Sequence, residues 1–515
     1  MMMRTTAVCA RILVALSVPG LVLAGIPVAV LGAPRTPRDT LVVAQGFDPR
    51  CLSPLFGTAQ PDKNVSGQVV ERLVTFSPDS LGFLPELAIR WEKTAPDTLR
   101  LHLRRGVRFT NGEEFNAHSA RYSLEQMLQA RALAFFVSAL RGAEVVDLYT
   151  VDIKAKGPTS ERLMLTALAM GSFQYPPVYT EQVGLLRGFC QRPVGTGPFK
   201  LVEWVKDDRV VFEPNADYWG GAPRIRRLVI RPIPEGAARV AALQAGDIDV
   251  ATLLPLEAYE RVAGDPSLTT YSLRGMRVFG LMLAQKWEGP LRDRKVRQAL
   301  QYAIDTDSLV RSLLKGRARR LEGQPLTPEY FGYQHDLKAT PYDPDRARRL
   351  LAEAGYPNGF QVTFKYPHGR YPQDKELSEA IAAQLLKVGI RTQQVVMEPG
   401  EFLTQLSQLG LRDMFFFGTL PPPDAHFMLT QYICNFRYAY WCRPEFDQLM
   451  ARASATADDR ERLRLYREML LLMQDDPPHV PLFAQSDLYA TAKAVAGWRP
   501  YKDQSLYLAK AYKRD

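Results

Sequence analysis

Residue types that could carry out chemistry are few in this 515-residue sequence, and they lie far apart. The six histidines lack the close His, Cys, Asp or Glu spacing of a zinc site; they are His102, His118, His335, His368, His426 and His479. A GxSxG nucleophile elbow and a GxxxxGK(S/T) phosphate loop are both absent from the sequence. We therefore expect a protein that is not an enzyme, with no resident metal and no cofactor.

The four cysteines beyond residue 9 could be redox-active or structural; they are Cys51, Cys190, Cys434 and Cys442. An even number of cysteines in an oxidising compartment predicts disulfide bonds. Cys434 and Cys442 close a short loop, and we predict a disulfide there. Cys51 and Cys190 then form the remaining pair. The alternative is four buried free thiols.

The oxidising compartment is predicted by the first 33 residues. Arg4 and Arg11 carry their only charges, and an apolar run follows from 12 to 33. This is the pattern of a secretory signal peptide, here predicted over residues 1–33. A permanent membrane anchor is the alternative, because the run is about 20 residues long. Two prolines and a glycine interrupt the run and favour cleavage, so we predict a periplasmic protein.

The charge of the chain does not indicate nucleic-acid binding. The formal charge is +10, and removing Arg4 and Arg11 leaves +8. The cluster KGRARR at 315–320 is basic, but the other lysines and arginines alternate with acids along predicted helices, as on solvated helix faces. We expect no nucleic-acid partner and only a weak preference for an anionic ligand or surface.

The helices and strands that must position these residues are predicted to form an α/β protein. We expect two or more lobes, because a chain of 515 residues is too long to fold around one ordinary hydrophobic core. Asn116 is predicted to cap a helix, and Asp343 with Pro344 begins another that ends near Gly355. A further helix is predicted from Thr456, with four buried residues: Leu463, Tyr466, Leu470 and Met473. Strands are predicted at QVTFKY (361–366) and RDMFFF (412–417), between helical segments.

Nine sequence segments stand in a characteristic order, beginning with WEKTAPDTLRLHLRRGVRFTNGEEFNAHSARYSLEQM. The others are VGTGPFKLVEW, NADYWGGAP, AALQAGDIDV, LRDRKVRQALQYAID, YDPDRARRLLAEAGYPNGF, AAQLLKVGI, PEFDQLM and DDPPHVPLF. They extend over nearly all of residues 40–490. In this order they resemble the oligopeptide-, dipeptide- and nickel-binding proteins of bacterial ABC importers, extracellular solute-binding family 5.

The resemblance implies a two-lobed periplasmic-binding-protein fold, a clam shell of mixed sheets flanked by helices. The first lobe is expected over residues 40–278 and 485–515, and the second lobe over 279–484. Two crossings between them would form the hinge, one near 274–283 and one near PPHVPLF (477–483). A ligand that bridges both lobes would favour the closed form.

The resemblance also implies where ligand contacts lie on the second lobe. Peptide binders of the family carry an acidic residue after a second-lobe strand, and here Thr419 stands at that position. Asp424 follows nearby and is a candidate acid, although an acid on the outer face of the turn fits the sequence equally well. His368 and Arg370 are candidates because the family's equivalent segment enters the cleft, and arginine suits a carboxylate. Arg370 could instead pair with an acid on its own loop.

The remaining candidates rest on two further likenesses. RYAYWC (437–442) is similar to a segment of dipeptide binders, which makes Arg437, Tyr438 and Trp441 candidate contacts. GFDPRCLSPLFGTAQ (46–60) is similar to the family's cleft-lining entry segment, which makes Thr58 and Gln60 candidates.

The function that the resemblance implies is the substrate-binding subunit of an ABC-type importer, expected to be a monomer. It would capture a peptide-like or other small, possibly anionic, organic solute and deliver it to membrane permease subunits. One alternative is the same scaffold binding a metal chelate through His368 and His426. Another is a non-transport envelope sensor or chaperone.

Overall fold

The computed structural model describes residues 36–57 and 59–514. The predicted signal peptide (1–33) and the candidate Thr58 lie outside the described residues. Among the residues that are described, no helix has both the length and the apolar composition needed to cross a membrane.

Up to residue 277, the described part of the chain contains twelve strands and seven α-helices. The strands are β1 (Thr40–Gln45), β2 (Val74–Phe76), β3 (Phe83–Pro85), β4 (Ala88–Ala95), β5 (Thr98–Leu103), β6 (Leu140–Asp147), β7 (Thr150–Ala155), β8 (Phe199–Val205), β9 (Arg209–Pro214), β10 (Arg227–Pro232), β11 (Val250–Ala251) and β12 (Leu268–Leu273). The helices are α1 (Gln60–Ser66), α2 (Ala117–Gln129), α3 (Glu161–Gly171), α4 (Pro177–Val183), α5 (Phe189–Gln191), α6 (Gly236–Ala245) and α7 (Leu256–Val262). A π-helical turn, Gly184–Gly188, connects α4 and α5.

The middle of the chain, residues 278–485, forms the second group of elements. Its strands are β13 (Val278–Leu283), β14 (Ala318–Arg320), β15 (Phe360–Pro367), β16 (Ile390–Met397), β17 (Met414–Thr419) and β18 (His479–Gln485). Its helices are α8 (Arg294–Ala303), α9 (Thr306–Ser312), α10 (Pro344–Glu353), α11 (Asp374–Leu386), α12 (Pro399–Ser407), α13 (Ala425–Leu429), α14 (Pro444–Ser454) and α15 (Asp459–Asp475). Two 3₁₀ turns, Pro290–Arg292 and Thr430–Tyr432, belong to this group, and β19 (Asp487–Ala492), β20 (Val495–Ala496) and β21 (Tyr512–Lys513) follow it.

The first group builds two larger sheets. A seven-stranded mixed sheet has the order β12-β19-β11-β1-β10-β9-β8, in which β1 runs parallel to both β10 and β11. A four-stranded antiparallel sheet has the order β4-β5-β7-β6. Because β19 follows the second group in the chain, the seven-stranded sheet combines strands from both sides of that group.

The second group builds a six-stranded mixed sheet, β14-β18-β13-β17-β15-β16. The chain passes from the seven-stranded to the six-stranded sheet between Leu273 and Val278, and it returns between Gln485 and Asp487. The second passage follows β18, close to PPHVPLF, most of which lies inside that strand. The lobe boundaries at 278/279 and 484/485, and their use as a hinge, stay a prediction.

Local sequence signals account for several of these elements. The Asn116 side chain accepts hydrogen bonds from the backbone of residues 118 and 119 at the start of α2, as predicted. Asp343 caps α10, and Pro344 is its first residue, as predicted. Strands β15 and β17 confirm the predictions at 361–366 and 412–417.

The prediction for α15 was wrong in position and partly wrong in its buried face. The helix begins at Asp459 and is capped by Asp458, and the Thr456 hydroxyl accepts a hydrogen bond from the Asp458 N–H instead. Leu463 is only half-buried, whereas Arg462 is fully buried. The charged residue occupies an inward position because a buried carboxylate faces it.

Both predicted disulfides are present. Cys51 pairs with Cys190 at a Cα–Cα distance of 4.8 Å, and Cys434 pairs with Cys442 at 4.6 Å. The first links the segment after β1 to α5, and the second closes the loop before α14. The alternative of four free thiols is wrong.

Candidate functional site

The site is built on two paired strands of the second lobe, β13 and β17. They run antiparallel with Val278 opposite Thr419, Gly280 opposite Phe417 and Met282 opposite Phe415. Alternate residues of a strand point to one face. These six residues all line a cavity, which we call the second-lobe cavity.

The other walls of the second-lobe cavity come from separate parts of the second lobe. Further lining residues are Phe279, Leu321, Pro325, Leu406, Met428, Gln431, Tyr432, Tyr438, Tyr440, Trp441, Pro478 and His479. The cavity itself is small, about 40 Å³, within about 640 Å³ of empty space that includes space open to solvent. Aromatic rings and the two methionines dominate this lining. No lining residue is an aspartate, glutamate, lysine or arginine, so the cavity has no charged side chain in its wall.

His479 is the most distinctive polar group of this wall. Its side chain is 4% exposed, and its ring stacks on Tyr432 with centroids 5.3 Å apart and planes 21° apart. Neither ring nitrogen has a hydrogen-bond partner among the described residues. Burial lowers the pKa of His479 to about 3, so the imidazole is neutral at physiological pH. A neutral imidazole offers one donor and one acceptor, and both are unused here.

Gly280 makes room for this ring. A Cβ atom at residue 280 would lie 3.1 Å from Cδ2 of His479 and 3.1 Å from the carbonyl oxygen of Val480. Both contacts are tighter than ordinary van der Waals separations. The absence of a side chain on β13 therefore allows the imidazole to pack over the strand.

Thr419 lies at the end of β17, where the cavity has a small polar rim. Its hydroxyl donates to Oε1 of Gln431 at 3.4 Å, and Nε2 of Gln431 donates to the carbonyl oxygen of Phe427 at 3.1 Å. The rim thus has a hydroxyl and an amide where the sequence comparison placed an acid in peptide binders. Thr419, Tyr438 and Trp441 are the predicted site residues that the structure brings together around this cavity.

Arg370 is connected to the same strand end through one side chain. Its Nε donates to the hydroxyl of Tyr371 at 2.9 Å, and that hydroxyl donates to the carbonyl oxygen of Gly418 at 2.9 Å. The Arg370 side chain is half-buried. Its loop is held by Asp374, which accepts backbone N–H groups of residues 369, 370 and 371. Asp374 therefore binds the Arg370 backbone, while the guanidinium contacts Tyr371.

The other cationic candidates are more exposed. The Arg437 guanidinium lies 4.5 Å from the ring centroid of Tyr438, at the edge of the second-lobe cavity. His368 is 59% exposed at its side chain, and its Nδ1 lies 3.4 Å from Oδ1 of Asp374.

Gln60, at the start of α1, donates from Nε2 to Oδ1 of Asn64 at 3.0 Å and does not line the cavity.

Asp424 does not line the second-lobe cavity, because its carboxylate belongs to a buried ion pair. Nη2 of Arg462 lies 2.9 Å and 2.8 Å from its two carboxylate oxygens, and both side chains are fully buried. Burial alone would lower the pKa of Arg462, but Asp424 more than offsets this and holds that pKa above its ordinary value. Asp424 also caps α13 by accepting the His426 N–H. Asp424, a candidate ligand contact in the sequence, thus stabilises the fold, and Arg462 neutralises its charge.

Trp441 is a wall residue with a structural partner of its own. It is 2% exposed, and its indole N–H donates to Oδ2 of Asp476 at 3.3 Å. The same carboxylate forms ion pairs with Arg297 and Arg443. This network fixes the indole, so Trp441 presents a rigid face to the cavity.

The two histidines of the metal-chelate alternative lie in different places. His426 is buried and lines a second cavity, formed with residues 135–159 of the first lobe, whereas His368 lies on the exposed loop after β15. In the described part of the chain no three His, Cys, Asp or Glu side chains are grouped as a metal site requires. His368 and His426 are therefore not brought together in the described structure.

Sequence reasoning missed His479, Tyr432 and Gln431. The only signal for His479 is its position between Pro478 and Pro481 in a strand that is otherwise apolar. A buried histidine in such a strand is as typical of a core as of a site, and only the three-dimensional arrangement shows its free nitrogens.

Residues 82–438 match the family model of the bacterial extracellular solute-binding proteins, family 5 Middle. This is more than half of the chain. The chain belongs to this family. The resemblance inferred from the sequence phrases is confirmed, and so is its general function, the binding of a solute for an ABC-type importer.

Individual relatives align with this chain over nearly its whole length. Heme-binding protein A of Haemophilus influenzae is 28% identical over 486 residues, 87% of this chain and 88% of that protein. The dipeptide-binding protein of Escherichia coli is 26% identical over 508 residues, 92% of this chain and 94% of that protein.

A solved structure confirms the fold class. The ABC transporter-associated periplasmic binding protein of Helicobacter pylori, in complex with peptide STSA, matches with a TM-score of 0.79 and 26% identity. The match covers 92% of this chain and 98% of that one. This family member therefore has the two-lobed α/β fold of periplasmic binding proteins, as expected.

Proposed function

We propose that this family 5 protein captures one small organic solute between its two lobes and delivers it to the permease subunits of an ABC importer. The observation that carries the proposal is the second-lobe cavity, whose wall includes Thr419, Tyr438 and Trp441. A concave, mainly apolar site with a few polar groups is the usual form of a small-molecule site. No covalent chemistry is required for this function.

Contacts between the lobes support closure as part of the mechanism. Nη1 of Arg462 donates to the hydroxyl of Ser160 at 2.6 Å, and Nε2 of Gln373 donates to Oε1 of Glu257 at 2.9 Å. The Phe135 ring also packs against Phe427, with centroids 5.7 Å apart. A solute that touches both lobes would add to these contacts and shift the population towards the closed form.

The proposed solute is peptide-like or another small organic molecule with an anionic group. Arg437 packs over the lining residue Tyr438, and Arg370 is linked through Tyr371 to the carbonyl oxygen of Gly418, beside Thr419. Both support the proposal, because each can offer a planar fork to a carboxylate. Relatives named for dipeptide or heme binding and a neighbour holding peptide STSA support a peptide-like or other small organic solute. Thr419 in place of an acid argues against recognition of a peptide amino terminus by a carboxylate at that position.

The location and assembly follow from the same proposal. Cleavage of residues 1–33 would release a monomer into the periplasm, where the two disulfides are stable. An uncleaved segment would instead anchor the protein, with the lobes facing the same compartment.

Native mass spectrometry of the freshly purified mature protein tests the proposal. We expect a species heavier than the chain by one small molecule, which disappears after unfolding in denaturant. A deletion strain that takes up the identified solute at the normal rate would favour the sensor or chaperone alternative. A protein that never carries or acquires a small molecule would contradict solute capture.

A further inference from the structure

We propose that Tyr371 is a positioning residue: its hydroxyl fixes the Arg370 guanidinium beside the end of β17 and leaves both terminal amino groups available to a carboxylate of the solute. This inference rests on the proposed function, since it names the group that sets the preference for an anionic solute.

The first argument is the hydrogen bonding of the Tyr371 hydroxyl. It accepts the Nε–H of Arg370 at 2.9 Å and the N–H of Gly418 at 3.2 Å, and it donates to the carbonyl oxygen of Gly418 at 2.9 Å. A hydroxyl can donate once and accept twice, so all of its capacity is used. Arg370 is therefore tied to the backbone of β17 through a single oxygen atom.

The second argument is that the sheet, and not the loop, fixes this oxygen. Strands β15 and β17 pair at two positions, the second of which joins Lys365 to Phe415. Further along β17, the backbone of Gly418 bonds the tyrosine hydroxyl. The Tyr371 ring is 6% exposed and packs edge-on against Phe279, with centroids 5.1 Å apart. The hydroxyl is thus held by the core of the second lobe.

The third argument is the free end of Arg370. Its side chain is half-buried, and neither of its Nη atoms has a hydrogen-bond or ion-pair partner among the described residues. The acid on the same loop, Asp374, accepts backbone N–H groups of residues 369 to 371 and does not pair with the guanidinium. With Nε occupied by Tyr371, the two Nη groups can form a two-point bond with a carboxylate.

The consequence of this arrangement is preorganisation. A long side chain that is already ordered loses less freedom when it binds, so the same contact gives a higher affinity. Tyr371 would therefore strengthen the binding of a carboxylate without touching the solute itself.

Acetate and acetamide are the probes that test this inference, because they have the same shape and differ in charge. The nuclear magnetic resonance signal of the Arg370 Nε–H, in protein labelled with ¹⁵N-arginine, reports binding at this one side chain. Arg370→Lys identifies the signal by its disappearance. We expect acetate to shift the signal saturably in the wild-type protein and acetamide to leave it unchanged.

Tyr371→Phe is the variant that separates positioning from packing, because it keeps the ring and removes only the hydroxyl. We expect its acetate affinity at Arg370 to be about 3- to 10-fold weaker, the range of one hydrogen bond. Tyr366→Phe is the matched control: Tyr366 is 1% exposed, and its hydroxyl donates to Oε1 of Gln394 at 3.0 Å. Its loss should leave the acetate affinity unchanged.

A second measurement applies even if Tyr371→Phe does not fold. In the wild-type protein, the Nε–H of Arg370 should exchange with water at least about tenfold more slowly than that of the exposed Arg437, because Tyr371 accepts it. Arg437→Lys identifies the reference signal. Equal exchange rates would show that Tyr371 does not hold the guanidinium.

Three further results would overturn the inference: no acetate-dependent shift in the wild-type protein, an equal shift with acetamide, or an acetate affinity that survives in Tyr371→Phe. The outcome is separable from that of the proposed function. A co-purified solute without this acetate pattern would remove only the inference, whereas the pattern in a protein that never carries a solute would remove only the function.

Discussion

The buried pair of Asp424 and Arg462 gives the sharpest test of how the second lobe is held together. Both side chains are fully buried, and the guanidinium bonds both carboxylate oxygens, the Ser160 hydroxyl and the Tyr466 hydroxyl. Asp424→Asn keeps the shape of the side chain and its ability to cap α13. It removes the negative charge and leaves a buried cation without its main partner.

The loss of this partner should lower the free energy of unfolding. Removing one partner of a buried ion pair costs about 3–5 kcal/mol, because the other charge stays buried and unpaired. Asp459 also contacts the guanidinium, at 2.7 Å, so we expect the lower end, about 3 kcal/mol. Arg462→Met should cost a similar amount. The double variant should cost about 2–3 kcal/mol less than the two single costs added together, because no unpaired charge remains.

Urea unfolding followed by circular dichroism measures these free energies. Asp458→Asn is the matched control, since Asp458 also caps a helix but is exposed. It should change the free energy of unfolding by less than about 0.5 kcal/mol. The affinity for the co-purified solute should be unchanged in Asp424→Asn. A stability equal to that of the control, together with weaker solute binding, would refute the structural role and restore Asp424 as a ligand contact.

Three other predictions concern pH, disulfides and affinity. Burial raises the pKa of Asp487 to about 6, so its protonated form favours folding. The contribution of Asp487 to stability should fall as the pH rises from about 4 to 6 and stay level above. Asp487→Asn should therefore be more stable than the wild type by about 3 kcal/mol at pH 7 but not at pH 3.5, as urea unfolding of both proteins at each pH would show. Cys51→Ser removes a disulfide between residues 139 apart and should lower the free energy of unfolding by about 5 kcal/mol, because the unfolded chain gains much freedom. Cys434→Ser removes a disulfide between residues only 8 apart and should lower it by about 2.5 kcal/mol. Equal losses in urea unfolding would count against this chain-entropy explanation. Arg370→Ala should weaken the affinity for a carboxylate-bearing solute by about tenfold, as isothermal titration calorimetry would measure. Arg437→Ala should weaken it by less, because Arg437 is more exposed. Unchanged affinity in both variants would contradict the proposal of an anionic ligand.

Elements with local signals could be predicted from the sequence. Asp343 followed by Pro344 specifies the start of α10 because the cap and the first helical residue are adjacent in the chain. The disulfide partners followed from cysteine number and compartment. The start of α15 was misplaced because Thr456 and Asp458 both fit a cap, and the local sequence does not choose between them.

The candidate site was less predictable because its polar groups depend on distant partners. Asp424 and Arg462 are 38 residues apart, and nothing local shows that each neutralises the other. His479 faces a cavity formed by strands and loops separated by up to about 200 residues, so its free nitrogens cannot be inferred from the strand that carries it. Thr419, by contrast, was expected after this strand because of the resemblance to the family, and it lies at the end of β17 beside the cavity.

The central claim, that this family 5 protein captures a solute, is tested most directly by weighing ligand-free protein after exposure to solutes. The mature protein would be unfolded, dialysed, refolded with its two disulfides intact and incubated with a peptide-rich extract before native mass spectrometry. We predict a discrete mass gain of one small molecule per chain, absent when the extract is omitted. A correctly refolded protein that gains no mass from any extract would contradict the claim.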